Sequence, residues 1–124
     1  MYRKLYKEAK TMIDSAYAPY SRFKVGAAVM TTDGKIFKGA NIENASFGAG
    51  ICAEQVAVSA AVSAGEREFD AIAVVSGEGS AWPCGICRQF MYEFSPEMKV
   101  ITGDDEDHLE VYELAELLPK GFVL

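Results

Sequence analysis

The sequence predicts an α/β fold, a three-layer α/β/α sandwich around a mixed five-stranded sheet, in a single domain spanning 1–124. Three observations lead there. Segments of helical period alternate with short β-branched runs. The run FDAIAVVS is apolar without interruption from Ala71 to Val75, as in a strand covered on both faces. Asp33-Gly34 stands between two apolar stretches, the signal of a tight hairpin turn. Composition agrees, with 50% hydrophobic and 24% charged residues in 124. A chain of this size buries about two-thirds of its unfolded surface, so one core is enough and disorder is excluded.

Taken in order, Tyr2, Leu5, Tyr6, Ala9, Met12, Ile13 and Ala16 recur at helical spacing with charged residues between them, predicting a first helix to about Ala16. YAPYSRF is turn material around Pro19, and VGAAVMTT and KIFKGANI then form the hairpin. From Ile51 to Ala64 the period is helical but apolar almost all round, which predicts a helix buried on more than one face, within a subunit or between subunits. FDAIAVVS and MKVIT are strands; between them ICRQFMYEF is a short helix with Ile86, Phe90 and Phe94 four residues apart. One more strand or turn near LEVY and a short helix ending at Pro119 complete the set. The hairpin is expected to lead into parallel strands joined by helices.

Twelve Lys and Arg against eighteen Asp and Glu give a net charge of −6. That balance disfavours a polyanion partner such as nucleic acid and points to a small substrate. No apolar run is long enough for a membrane span, and MYRKLYKEAK lacks the apolar middle of a secretory signal, so a cytoplasmic protein is expected. Three cysteines leave one over in any disulfide scheme. They read instead as metal ligands or reactive thiols.

Cys84 and Cys87 stand three apart in PCGIC, and at a helix start this places both sulfurs on one side of the first turn. A thioredoxin-like redox pair shares that spacing. Cys52, at the head of the apolar helix, makes a third thiolate, and three ligands without a fourth match a catalytic zinc with one position for water. Glu54 follows two positions later. Side chains in a first helical turn lean back toward the N-terminus, so Glu54 can converge with Cys52 on a point beyond the helix end. The plainer alternative is a carboxylate complementing the helix dipole. His108 could supply a fourth ligand, but a solvated loop histidine in the acidic stretch after Asp104 is the preferred reading.

Together, PYSRFKVGAAV, DGKIFKGANIENASFG, GICAE, PCGICRQ and LLPKGF resemble the zinc cytidine deaminases in their short homotetrameric form, whose first ligand is Cys. The resemblance implies hydrolytic deamination of cytidine and deoxycytidine, as in pyrimidine salvage, with one zinc per chain held by Cys52, Cys84 and Cys87 and Glu54 moving protons. It also implies substrate-binding roles. Asn41 and Glu43 would bind the ribose, Phe23 would lie against the base, Ala53 would offer its backbone N–H to the ring carbonyl, and Phe122 would reach into a neighbouring subunit's site. Plain core packing is the alternative for Phe23, and solvation at a strand end for Asn41 and Glu43.

The chain departs from that pattern at three places. Gln55 stands where the family commonly has Arg, Trp82 where Ser is frequent, and Phe47 where Tyr is usual. These changes bear on the substrate more than on the reaction. A deaminase of another aminopyrimidine nucleoside, such as blasticidin S, is therefore the nearest rival. A non-catalytic zinc-binding interaction module is a more distant one.

Overall fold

The computed structural model describes residues 1–124. Its elements run α1 (Tyr2–Lys10), β1 (Val25–Thr31), β2 (Ile36–Ala40), α2 (Ala53–Ser63), β3 (Phe69–Ser76), β4 (Gly79–Ser80), α3 (Gly85–Tyr92), β5 (Lys99–Gly103), β6 (Leu109–Glu113) and α4 (Leu114–Leu117). The main sheet order is β2-β1-β3-β5-β6, five strands as expected, and the two-residue β4 pairs beside β3 as a sixth.

Residues alternate between two cores along each central strand, as a period of two requires. Ala28 and Met30 of β1 and Ala73 and Val75 of β3 face α1, where they meet Leu5, Tyr6 and Ala9. Ala27, Val29, Ile72 and Val74 face the opposite side and pack with Ala57, Val58 and Ala61 of α2 and Met91 of α3. The result is the three-layer sandwich. No helix is long and apolar enough to cross a membrane.

The hairpin leads, as expected, into parallel strands joined by a helix, and the remaining pairs are antiparallel. Only β3 and β5 are parallel, joined by α3, while β1 is antiparallel to both β2 and β3 and β5 is antiparallel to β6. α2 carries the chain from β2 over β1 to β3, so two strands of like direction end up separated by the hairpin's first strand.

The first helix is also shorter than its periodicity suggests, ending at Lys10 before one 3-10 turn at Ile13–Ser15. Thr11 Oγ1 donates to the Glu8 carbonyl at 2.6 Å and the Met12 N–H bonds the Ala9 carbonyl at 3.0 Å, so three-residue bonds displace the α ladder. Apolar spacing persists through such a turn, which is why the pattern alone overran it.

Two glycines permit the close packing that brings helices onto the hairpin. A Cβ on Gly26 would sit 2.1 Å from the Ala9 carbonyl oxygen, and one on Gly39 would sit 2.6 Å from the Ala57 nitrogen and 2.8 Å from the Ala53 oxygen. Only glycine allows such backbone approach. Through Gly39, β2 sets the depth of the α2 N-terminus.

α2 buries Ala53, Glu54, Ala57, Val58 and Ala61 against the sheet, with Val56 and Val62 half-buried and Ala60 exposed. In α3 the buried residues are Cys87 and Met91. Phe90 and Phe94 pack half-buried on the same core, whereas Ile86, at the head of their four-residue stripe, is 72% exposed.

Candidate metal centre and active site

Cys52 is the N-cap of α2 and Cys84 the N-cap of α3, with Cys87 in the first turn of α3. Two helix N-termini therefore converge on one point, and each contributes roughly +0.5 of an elementary charge there. The Cys52 and Cys84 sulfurs are 3.9 Å apart, those of Cys84 and Cys87 3.5 Å, and all three lie within 4.8 Å of one another. Tetrahedral zinc with bonds of about 2.3 Å needs thiolate sulfurs about 3.8 Å apart. The donor set fits zinc in spacing and in chemistry, and none of the three is in a disulfide.

Hydrogen bonding from the Cys87 thiol draws Cys52 down to about 6, and Cys87, which keeps the proton, is pushed up. Glu54 lies in the first turn of α2 at 4% exposure. Burial, with the Cys52 thiolate beside it, pushes its carboxyl up to about 7. Cys52 and Glu54 line one cavity, the convergence that helix geometry allowed.

Backbone and side-chain contacts hold the ligand loop. The Ala81 N–H donates to Thr102 Oγ1 of β5 at 2.8 Å, and Arg88 Nε donates to the Pro83 carbonyl at 2.7 Å. Arg88 Nη1 reaches the Leu117 carbonyl at 2.7 Å and so ties α3 to α4. On α2, Gln55 Oε1 accepts the Cys52 N–H at 3.2 Å. In this chain the residue at position 55 thus caps the helix through an acceptor, which an arginine lacks.

A cavity of about 260 Å³ opens on the cluster, bounded by Phe23, Asn41, Glu43, Ala53, Glu54 and Trp82 among others. All the expected own-chain site residues thus line one space with Cys52 and Cys84. Cys87 lies behind them, fully buried. An adjoining hollow of about 440 Å³ extends past Tyr20, Ile42, Phe47 and Ile86. Trp82 is held at the cavity wall by an edge-to-face contact with Tyr112, centroids 5.5 Å apart.

Asn41 and Glu43 follow β2 in extended chain, where Ile42 bridges Tyr17 and Ile51. Asn41 Oδ1 accepts the Val25 N–H at 2.9 Å and Nδ2 donates to the Phe23 carbonyl at 2.8 Å. Its amide builds the Phe23 wall, leaving one N–H and one lone pair for a ligand. Glu43 accepts from the Tyr20 and Ser21 N–H groups at 2.9 and 3.1 Å and from the Ser21 hydroxyl. Those contacts hold its carboxyl below the ordinary range and keep it anionic. Ser21 and Tyr20 went unmarked in the sequence because a turn serine and a backbone amide carry no periodic signal.

Phe122 and His108 stand away from the cluster. Phe122 is 63% exposed and lines neither cavity of its own chain. His108 is exposed and pairs with Asp105 through Nδ1 at 2.8 Å, a solvated loop histidine as preferred.

The family model for the cytidine and deoxycytidylate deaminase zinc-binding region matches residues 1–103, the span that holds Cys52, Glu54, Cys84 and Cys87. The chain belongs to that family. Among members of this deaminase family, a cytidine deaminase of Halalkalibacterium halodurans is 47% identical over 120 residues, 95% of this chain and 91% of the relative. One from Mycobacterium tuberculosis is 43% identical over 111 residues, 88% of this chain and 80% of that protein. The crystal structure of cytidine deaminase from Burkholderia pseudomallei superposes with a TM-score of 0.91 at 46% identity, covering 98% of this chain and 99% of that one. The zinc-binding region of the family and the three-cysteine cluster together assign one zinc to each chain.

Proposed function

We propose that the protein hydrolyses cytidine and deoxycytidine to uridine and deoxyuridine, with release of ammonia. The observation that carries this reading is the placement of buried Glu54 beside the three-cysteine cluster, at the floor of a cavity walled by Phe23, Asn41 and Glu43. Relatives named cytidine deaminase over nearly the whole chain support it.

Cys52, Cys84 and Cys87 would hold the zinc, which when bound lowers the pKa of a coordinated water and so supplies the nucleophile. Glu54 takes a proton from the water, delivers it to N3 of the base, and then serves the leaving amine at C4. Burial of Glu54 excludes bulk water from the proton it carries. The Ala53 N–H, in the first turn of α2, has no intrahelical acceptor and is free for the ring carbonyl. Phe23 packs against the base, while Glu43 and the remaining donor and acceptor of Asn41 bind ribose hydroxyls. Atoms balance as nucleoside plus water giving the 4-oxo nucleoside plus ammonia.

The active form in this reading is a homotetramer in which Phe122 completes a neighbour's site. Exposed Tyr20, Ile42, Phe47 and Ile86 around the adjoining hollow form the kind of apolar patch that subunit association covers, which supports assembly at the cavity mouth. Trp82 at the wall favours one second reading, an aminopyrimidine nucleoside other than cytidine.

A substrate panel decides between them. Ultraviolet loss and ammonia release are followed with cytidine, deoxycytidine, cytosine and blasticidin S, and kcat/KM is expected to be greatest for the first two. A much greater value for blasticidin S would overturn the substrate assignment. Ammonia release from none of them, in protein carrying one zinc per chain, would overturn the reaction. Chelation of the metal is expected to abolish turnover.

A further inference from the structure

The C-terminal segment beyond α4 has no regular structure, yet one of its residues is gripped by its backbone. Gln89 of α3 donates from Nε2 to the Phe122 carbonyl at 2.8 Å, and its Oε1 accepts the Phe122 N–H at 3.5 Å. A single carboxamide thus takes both backbone groups of one residue, as a neighbouring strand would. Upstream, Lys120 turns the chain at φ 60°, and Gly121 lies so close to Tyr92 that a Cβ would stand 2.8 Å from its ring. The backbone of Phe122 is held at both its N–H and its carbonyl while its ring remains 63% exposed. The two bonds fix the backbone of Phe122 and leave its ring outward.

We propose that Gln89 is a positioning residue for substrate binding, whose carboxamide aims the Phe122 ring at the cavity of an adjoining subunit. The proposal rests on the reading of Phe122 given above. Gln89 lies two positions after Cys87, on the helix that carries two of the three thiolates, so the scaffold of one subunit's metal centre also orients the ring used by the next. The carboxamide touches neither substrate nor metal. Its effect falls on affinity and is delivered in trans.

The test is steady-state kinetics on cytidine with zinc-loaded protein. Gln89→Met preserves side-chain length and helix propensity but offers the backbone neither donor nor acceptor. It is expected to raise KM roughly threefold to tenfold, the loss of an oriented aromatic contact, with kcat within about twofold and zinc content unchanged. In a Phe122→Ala background the same change is expected to add nothing to KM. Mixing Gln89→Met chains with Glu54→Gln chains under subunit exchange should restore the low KM, because sites keeping Glu54 then receive a correctly aimed Phe122 from the partner.

A Gln89→Met enzyme with wild-type KM, while Phe122→Ala raises it, overturns the positioning role alone. So do effects that multiply in the double variant, or a mixture without recovery when Phe122→Ala does recover. Unchanged KM in Phe122→Ala itself overturns the shared-site reading and with it the role of Gln89. If Gln89→Met fails to fold, Gln89→Glu replaces it. That variant keeps the shape and sets a carboxylate against the Phe122 carbonyl, and it is expected to raise KM by at least as much; a wild-type KM overturns the proposal equally.

Discussion

Glu54 combines two conditions that oppose each other in water, a carboxyl that must ionise and a position at 4% exposure. Burial raises its pKa to about 7, so below about pH 4.5 the protonated group costs nothing in either state, and between about 4.5 and 7 the folded metal-free chain holds a proton that the unfolded chain has lost. Stability therefore falls as pH rises through that window and levels off above it. Compared with Glu54→Gln, the chelated wild-type protein should lose up to about 3 kcal/mol over this range in urea unfolding. A pH-independent difference between the two would remove the buried-acid description. In zinc-loaded protein, Glu54→Gln is expected to retain the metal while losing most turnover, since in the proposed reaction the carboxylate moves protons and is not one of the three sulfur ligands. Metal analysis beside a rate measurement checks both halves; near wild-type turnover would eliminate the acid/base role.

At the scale of elements, the site depends on how deeply α2 enters the hairpin. The helix carries Cys52 and Glu54, and its depth is set where Gly39 of β2 meets the backbone of Ala53 and Ala57. Gly39→Ala places a carbon 2.6 Å from a backbone nitrogen that no rotamer change can move aside. The helix must shift. The expected cost is about 1–3 kcal/mol in chemical denaturation, with reduced zinc affinity because Cys52 moves relative to Cys84 and Cys87. A Gly39→Ala protein of unchanged stability and metal affinity would show that α2 is not seated by this contact. Cys87→Ala acts on the same junction from α3. It should lose metal and activity together, with part of the folding stability, because ligands from two helices meet at the ion.

The whole molecule presents large apolar side chains that its own fold leaves uncovered, including Phe47 at 82% and Phe122 at 63% exposure. The proposed assembly would cover both. Phe122→Ala is expected to remove about 0.5–1.5 kcal/mol of aromatic pairing and part of a burial contribution, raising KM several-fold with zinc content unchanged. Sedimentation of the variant should still show the wild-type assembly, because one tail ring is a small part of the apolar surface available. Mixed with Glu54→Gln chains, the variant should regain low-KM turnover, since each intact Glu54 can then borrow a ring. Active wild-type monomers at assay concentration would refute the shared site.

The sequence by itself determined the local elements. Asp33-Gly34 specifies the hairpin, FDAIAVVS a doubly covered strand, and Cys52 and Cys84 stand as candidate ligands at two helix starts, because turn preference, periodicity and first-turn geometry are properties of neighbouring residues; that the two starts meet is tertiary. Apolar spacing could not separate an α-helix from the 3-10 turn after Lys10, and it could not show that Ile86 points to solvent while Cys87 and Met91 point inward. Those choices follow from what stands opposite. Tertiary structure alone decided that β3 lies antiparallel to β1, that the Asn41 amide braces Phe23 and Val25, that Ser21 holds Glu43, and that Gln89 grips Phe122 across 33 residues of chain. Each is a pairing between distant positions, and a hydrogen-bond donor in a sequence carries no mark of which acceptor the fold will bring to it.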